Sequence, residues 1–116
     1  MKLIVYGTLK KGFHANNLLG DSKYLGSFRE ELPYQMFDLG SFPALVASET
    51  TAPISFEMYK VDKKTMETLD RYEGYPNLYT KDIVLVHGME ATIYVMKDNV
   101  FRNKKPMEDG NWTKNY

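Results

Sequence analysis

Two short segments bring together residue types that could do chemistry. The first is Tyr6-Gly7-Thr8-Leu9, with Gly12 close behind. A glycine-led turn leaves backbone N–H groups bare, and successive N–H groups form a concavity suited to an anion or a carbonyl oxygen. Without a Cβ at Gly7, a ligand can come close to the chain. The same residues also fit an ordinary surface turn after a strand, and alone they leave both readings open. Thr8 is followed by Leu9-Lys10-Lys11-Gly12, so the loop lacks the Gly-Lys-Ser/Thr ending of a phosphate-binding P-loop. The second segment centres on Glu73, between Tyr72 and Gly74-Tyr75-Pro76. A carboxylate at a helix C-terminus stands against the helix dipole. With aromatic neighbours as well, its pKa should be pushed upward, as acid–base chemistry near neutral pH requires. A solvated glutamate at a helix end is the plain alternative. Glu57 faces either a polar pocket or solvent and a structural ion pair, and His14 reads as a surface or capping residue.

The elements that must position these residues follow from hydrophobic period and punctuation. Leu3-Ile4-Val5-Tyr6 is a β-branched and aromatic run cut off by Gly7, which predicts a buried strand feeding the first segment. Phe13 to Gly20 predicts a short helical turn, with His14, Asn16 and Asn17 as candidate caps. Tyr24–Phe28 and Tyr34–Leu39 have strand composition and are separated by Leu32-Pro33. Gly40–Leu45 reads as a loop whose Phe42-Pro43 bond is open to either isomer, and Glu49–Pro53 as a polar turn. Ile54, Phe56 and Met58 alternate with Ser55, Glu57 and Tyr59, a strand pattern running to Val61.

Asp62 to Gly74 is the clearest helix. Asp62 is placed to cap it, Val61 and Met66 stand at hydrophobic-staple positions, and Met66, Leu69 and Tyr72 form one stripe. Gly74 suits a left-handed C-terminal cap. Tyr75–Tyr79 is an aromatic turn. Asp82–His87 and Glu90–Met96 predict a hairpin, with His87 exposed at its turn. The polar tail from Lys97 carries Trp112 and Tyr116, which are placed to fasten it over the domain edge. The count is six strands, one firm helix and one weak helix. This predicts an α+β fold, a small mixed or antiparallel β-barrel with flanking helices.

Composition narrows the classes. The 116 residues suit a single domain, 1–116, large enough for a core of its own. Lys+Arg and Asp+Glu both number 15, so electrostatics points to neither nucleic acid nor an anionic membrane surface. The apolar runs are too short for a membrane span or a signal peptide. There is no cysteine, which removes disulfides, thiol nucleophiles and cysteine–metal sites, and fits a cytoplasmic protein. Two isolated histidines make no metal site.

Tyr6-Gly7-Thr8-Leu9, paired with Leu69-Asp70-Arg71-Tyr72-Glu73-Gly74 and followed by Tyr79, resembles the gamma-glutamylcyclotransferase-like family. The length resembles its short gamma-glutamylamine cyclotransferase branch more than the longer glutathione-degrading enzymes. Asn16-Asn17-Leu18-Leu19, Phe42-Pro43-Ala44-Leu45, Glu57–Val61 and Asn111-Trp112 also resemble family segments in the right order. Phe56 departs from the glycine usual there. The resemblance implies a barrel-end cavity in which the Tyr6–Leu9 loop holds a glutamyl group and Glu73 is the acid–base. It implies conversion of a γ-glutamyl amine or γ-glutamyl amino acid to 5-oxoproline and a free amine, without metal or cofactor.

The residues suit that chemistry. The substrate's own α-amine would attack its γ-carbonyl, so no protein nucleophile is needed. Gly7, Thr8 and Leu9 N–H groups would meet the oxyanion or α-carboxylate, and Tyr79 and Tyr94 hydroxyls would orient substrate. Tyr6 reads as scaffold. The alternative is a non-catalytic module that keeps the cavity and binds a small ligand.

Overall fold

The computed structural model describes residues 1–97 and 104–114. Five strands and one helix follow the order β1 (Lys2–Val5), β2 (Lys23–Asp38), β3 (Pro43–Lys60), α1 (Lys63–Glu73), β4 (Thr80–Val86) and β5 (Met89–Val95). The strands form one mixed sheet in the order β2-β3-β1-β5-β4. β1 lies at its centre, antiparallel to β3 and parallel to β5. Among the described residues the sheet does not close into a ring. It curls until Met96 donates its N–H to Leu45 of β3 at 2.8 Å, so "barrel" describes the curvature rather than a continuous ladder.

Two of the six expected strands merge into one, and a third is longer than expected. β2 runs straight through Pro33, and β3 runs through the Glu49–Pro53 segment expected as a turn. Both departures have one cause, a large irregularity in the β2–β3 ladder. Leu32 pairs with Ala52 and Tyr34 with Ala47, so Pro33 faces a four-residue excursion and no ladder donor is needed from it. The Phe42-Pro43 bond is trans; the cis bond is Tyr75-Pro76.

Alternation along β1 builds two cores. Leu3 and Val5 face a cluster shared with Met66 and Leu69 of α1, while Ile4 and Tyr6 face a second cluster with Phe56, Met58 and Trp112. Trp112 is fully buried inside this second core, rather than lying over an edge as expected. Its segment is fixed by Met107 N–H to Met36 O at 2.7 Å and Ser55 N–H to Gly110 O at 2.9 Å. Tyr116, the other expected anchor, lies outside the described residues.

The helix begins and ends as its sequence predicts. Asp62 Oδ1 accepts from Thr65 N–H at 2.7 Å, which holds the Asp62 carboxyl below its usual range. At the other end Gly74 has φ 68°. Its N–H donates to Arg71 O and Tyr75 N–H donates to Asp70 O, a Schellman closure. The weak helix is a short 3₁₀ segment, Asn16–Leu19, with Ala15 at its cap and no side-chain capping bond. Asn16 Nδ2 instead donates to Leu9 O at 2.8 Å, tying the first segment down from behind. The β4–β5 hairpin turns at His87 and Gly88, both with positive φ. His87 is exposed and pairs with Glu30 at 3.2 Å. No described helix is long and apolar enough to cross a membrane.

Candidate active site

The end of β1, the C-terminus of α1 and the inner ends of β3 and β5 surround one cavity of about 220 Å³. Tyr6, Gly7, Thr8, Leu9, Glu73, Tyr79 and Tyr94 all line it, so the seven residues expected to hold or act on a substrate meet here, while His14 and Glu57 do not line it. The seven come from four separate stretches of chain, and only the tertiary fold joins them.

The glycine-led loop is held rigid from three sides. Lys10 N–H closes a turn onto Gly7 O at 3.1 Å, and Ala15 N–H reaches Thr8 O at 3.1 Å. Glu57 Oε1 accepts from Lys11 N–H at 2.8 Å and from the Tyr59 hydroxyl at 2.9 Å. Glu57 is therefore a clamp on the loop; it does not line this cavity but a second, polar depression with Lys10, Ser27 and Arg29, and burial with this bond pushes the Tyr59 hydroxyl up to about 12. The clamp leaves the N–H groups of Gly7, Thr8 and Leu9 without a bond among the described residues. Fixed, unpaired donors facing a cavity are what an incoming anion or carbonyl oxygen needs.

Gly7 is required for a reason different from the expected ligand approach. A Cβ there would lie 2.7 Å from both Cγ and Cδ of Pro43. The Pro43 ring fills the space a side chain would take, and itself forms part of the cavity wall.

Glu73 is the last residue of α1 and turns its carboxyl into the cavity. Burial pushes this carboxyl up to about 7. The direction matches the sequence reading, and the cause is desolvation by burial. The Schellman closure already occupies the Asp70 and Arg71 carbonyls that would have faced the charge. No hydrogen bond or ion pair to Glu73 forms among the described residues.

Three tyrosines surround this carboxyl and send their protons elsewhere. Tyr6 donates to Tyr94 O at 2.7 Å and accepts from Leu45 N–H at 3.3 Å, bridging β1, β5 and β3 as a scaffold residue. Tyr79 donates to Pro43 O at 2.7 Å, and Tyr94 donates to Asp70 Oδ1 at 2.7 Å. Burial is the main cause that pushes all three hydroxyls up, and the Glu73 charge adds to it. Tyr79 and Tyr94 thus offer a substrate ring faces and acceptor lone pairs, rather than the free donors expected of them. Asp70 is in turn paired with Lys81 Nζ at 3.0 Å.

Sequence reasoning missed the mouth of the cavity. Tyr72 was expected on the buried stripe of α1, yet it is exposed and its hydroxyl meets Thr8 Oγ1 at 2.9 Å. Phe42, Pro43 and Leu78 join it in lining the opening. The one available signal was adjacency: Tyr72 and Leu78 flank Glu73 in the chain. No group of three or more His, Cys, Asp or Glu among the described residues could hold a metal.

The chain is similar to known proteins in sequence and in fold. A Vibrio cholerae protein, provisionally named gamma-glutamylcyclotransferase, is 32% identical over 95% of this chain and 93% of its own length. A rat gamma-glutamylaminecyclotransferase is 29% identical over 76% of this chain and 64% of its own length. Among solved structures, a Pyrococcus horikoshii protein matches with a TM-score of 0.77 at 26% identity, over 96% of this chain and 88% of that one. The mouse AIG2-like protein shares the fold with a TM-score of 0.74 at 21% identity, over 92% of this chain and 85% of that one. Residues 3–114, which carry both cavity segments and the buried tail, match the family described as Gamma-glutamyl cyclotransferase, AIG2-like, and the chain belongs to that family.

Proposed function

We propose that this chain is a cyclotransferase that converts a γ-glutamyl amine or γ-glutamyl amino acid to 5-oxoproline and the free amine. The observation that carries the reading is Glu73, a partnerless carboxyl raised to about 7 in the cavity that the unpaired Gly7–Leu9 N–H groups also line. Family membership supports it.

In this reading the substrate's α-nitrogen attacks its own γ-carbonyl carbon. The new C–N bond closes a five-membered ring, and the C–N bond to the leaving amine breaks. The α-ammonium starts with three protons and ends as a lactam N–H, so two protons leave it. Both arrive on the leaving nitrogen, which departs as an ammonium. Glu73 carries them in turn, and a carboxyl near neutrality is equally able to take and to give. The loop N–H groups receive the carbonyl oxygen as it gains charge, or the α-carboxylate. The cavity holds amine and carbonyl in contact, an orientation worth several kcal/mol.

The test is 5-oxoproline release, read by mass spectrometry, from γ-glutamyl-ε-lysine, γ-glutamyl amino acids and glutathione. Wild-type protein is expected to release it, and Glu73→Gln to be slower by about 10²–10⁴-fold with its fold intact. Free glutamate in place of 5-oxoproline would mean hydrolysis. Ligand binding without product would mean a binding module.

A further inference from the structure

The mouth of the cavity differs in character from its floor. Leu9, Tyr79 and Tyr94 at the floor are 3–4% exposed, whereas Tyr72 and Leu78 at the opening are 42% and 54% exposed. Phe42 stands with them and packs against Tyr79, with ring centroids 6.5 Å apart. Because the Tyr72 hydroxyl is turned to Thr8, the rim shows solvent its ring. Leu78 is presented rigidly: Asn77 and Leu78 N–H both bond Gly74 O, at 2.9 and 2.8 Å. A cavity of 220 Å³ is smaller than the roughly 300–1,000 Å³ of pockets that engulf a drug-sized ligand. It has room for a small acyl group and leaves the rest of the molecule at the rim.

Charge is missing from that rim. Apart from Glu73, no carboxylate or basic side chain among the described residues lines the cavity. Two nearby lysines are engaged with carboxylates. Lys81 pairs with Asp70 at 3.0 Å and lies 4.2 Å above the Tyr75 ring, while Lys114 pairs with Asp38 at 2.6 Å beside the turn leading to Phe42. A charged group on the departing amine would lose water here and gain no partner. An apolar group would cover exposed apolar surface clustered at an opening, which is where such surface marks binding.

We propose that the leaving group this site accepts is an apolar amine, held at the rim by the Tyr72 ring, Leu78 and Phe42. The proposal rests on the cyclotransferase reading and names the half of the substrate that reading leaves open. It is tested by steady-state 5-oxoproline release from γ-glutamyl-isopentylamine, γ-glutamyl-benzylamine, γ-glutamyl-ε-lysine and γ-glutamyl-aspartate. The two apolar amides are expected to show kcat/KM at least about 10-fold above the two charged ones. Leu78→Asp is expected to erase or reverse that ratio. Leu78→Ala, which adds no charge, should shrink it if the aspartate variant does not fold. Equal rates across the panel, or faster release of the charged amines, would overturn the proposal and leave the cyclotransferase reading standing. No 5-oxoproline from any of the four would overturn both.

Discussion

Glu73 is a residue at which stability and activity should change in opposite senses with pH. Its carboxyl is raised from 4.5 to about 7 in the folded protein, so the folded state holds this proton more tightly than the unfolded chain does. The sign follows: this contribution favours folding least where the group is ionised, and the penalty grows as pH rises from 4.5 through 7. Glu73→Gln should therefore be more stable than wild type at pH 8, by about 1–3 kcal/mol, and no more stable at pH 4. Thermal unfolding of both proteins at the two pH values checks this, and a pH-independent difference would contradict it. Activity should run the other way. Only the ionised carboxylate accepts the first proton, so kcat/KM should climb about tenfold per unit below pH 7 and level off above it. A profile flat from pH 5 to pH 8 would remove Glu73 from that role. The sequence made the location of this residue legible, because a helix stripe ending in Gly74 marks where the helix must stop. It did not make the cause legible. Tyr6, Tyr79 and Tyr94 line the cavity in which Glu73 is desolvated, and nothing local to the helix places them there.

The elements around the site are joined by a few bonds that can be tested one at a time. Asp70 of α1 accepts from Tyr94 of β5 and pairs with Lys81 of β4, pinning the helix to the sheet behind the cavity. Asp70→Ala leaves the buried Tyr94 hydroxyl without its acceptor and should cost about 1–3 kcal/mol. Adding Tyr94→Phe removes the orphaned group, so the double variant should lose less than the sum of the singles in urea unfolding. Strict additivity would show that the bond contributes nothing. Gly7→Ala drives a Cβ into the Pro43 ring and should cost about 1–3 kcal/mol while displacing the loop, with turnover falling alongside. Unchanged turnover and stability would mean that Pro43 yields freely. The helix and the β4–β5 hairpin were readable because their signals are local: a cap, a stripe and a turn. β2 and β3 were not, because Pro33 and the Glu49–Pro53 segment look like breaks in one dimension. Across the paired strands they face each other and are absorbed into one irregularity. Tyr72 was misread for a related reason. The helical period assigns it to the buried face, but the sheet ends before it and leaves the cavity mouth in its place.

At the scale of the whole molecule, the two faces of the sheet carry two cores, and the tail belongs to one of them. Trp112→Ala should cost about 3–5 kcal/mol, measured by denaturant unfolding, because it empties a fully buried position. A loss below 1 kcal/mol would mean that the core closes without the indole. An antiparallel or mixed sheet was readable from the strand pattern, but the central place of β1 was not, since pairing of Leu3 with both Tyr59 and Thr92 is invisible to local pattern. The tail also reaches the active-site loop itself. Lys10 is buried and donates its ammonium to Trp112 O at 2.7 Å and to Asn111 Oδ1 at 3.4 Å. Seen as a chain emerging from a ribosome, this contact sets an order of events. β1 precedes both of its sheet partners in the chain, and Lys10 lacks these two acceptors until residues 111 and 112 have been added. Lys10 is thus made 102 residues before the carbonyl that completes its anchoring. A nascent chain halted before Asn111 would carry all thirteen residues that line the cavity and still lack both oxygens that hold Lys10.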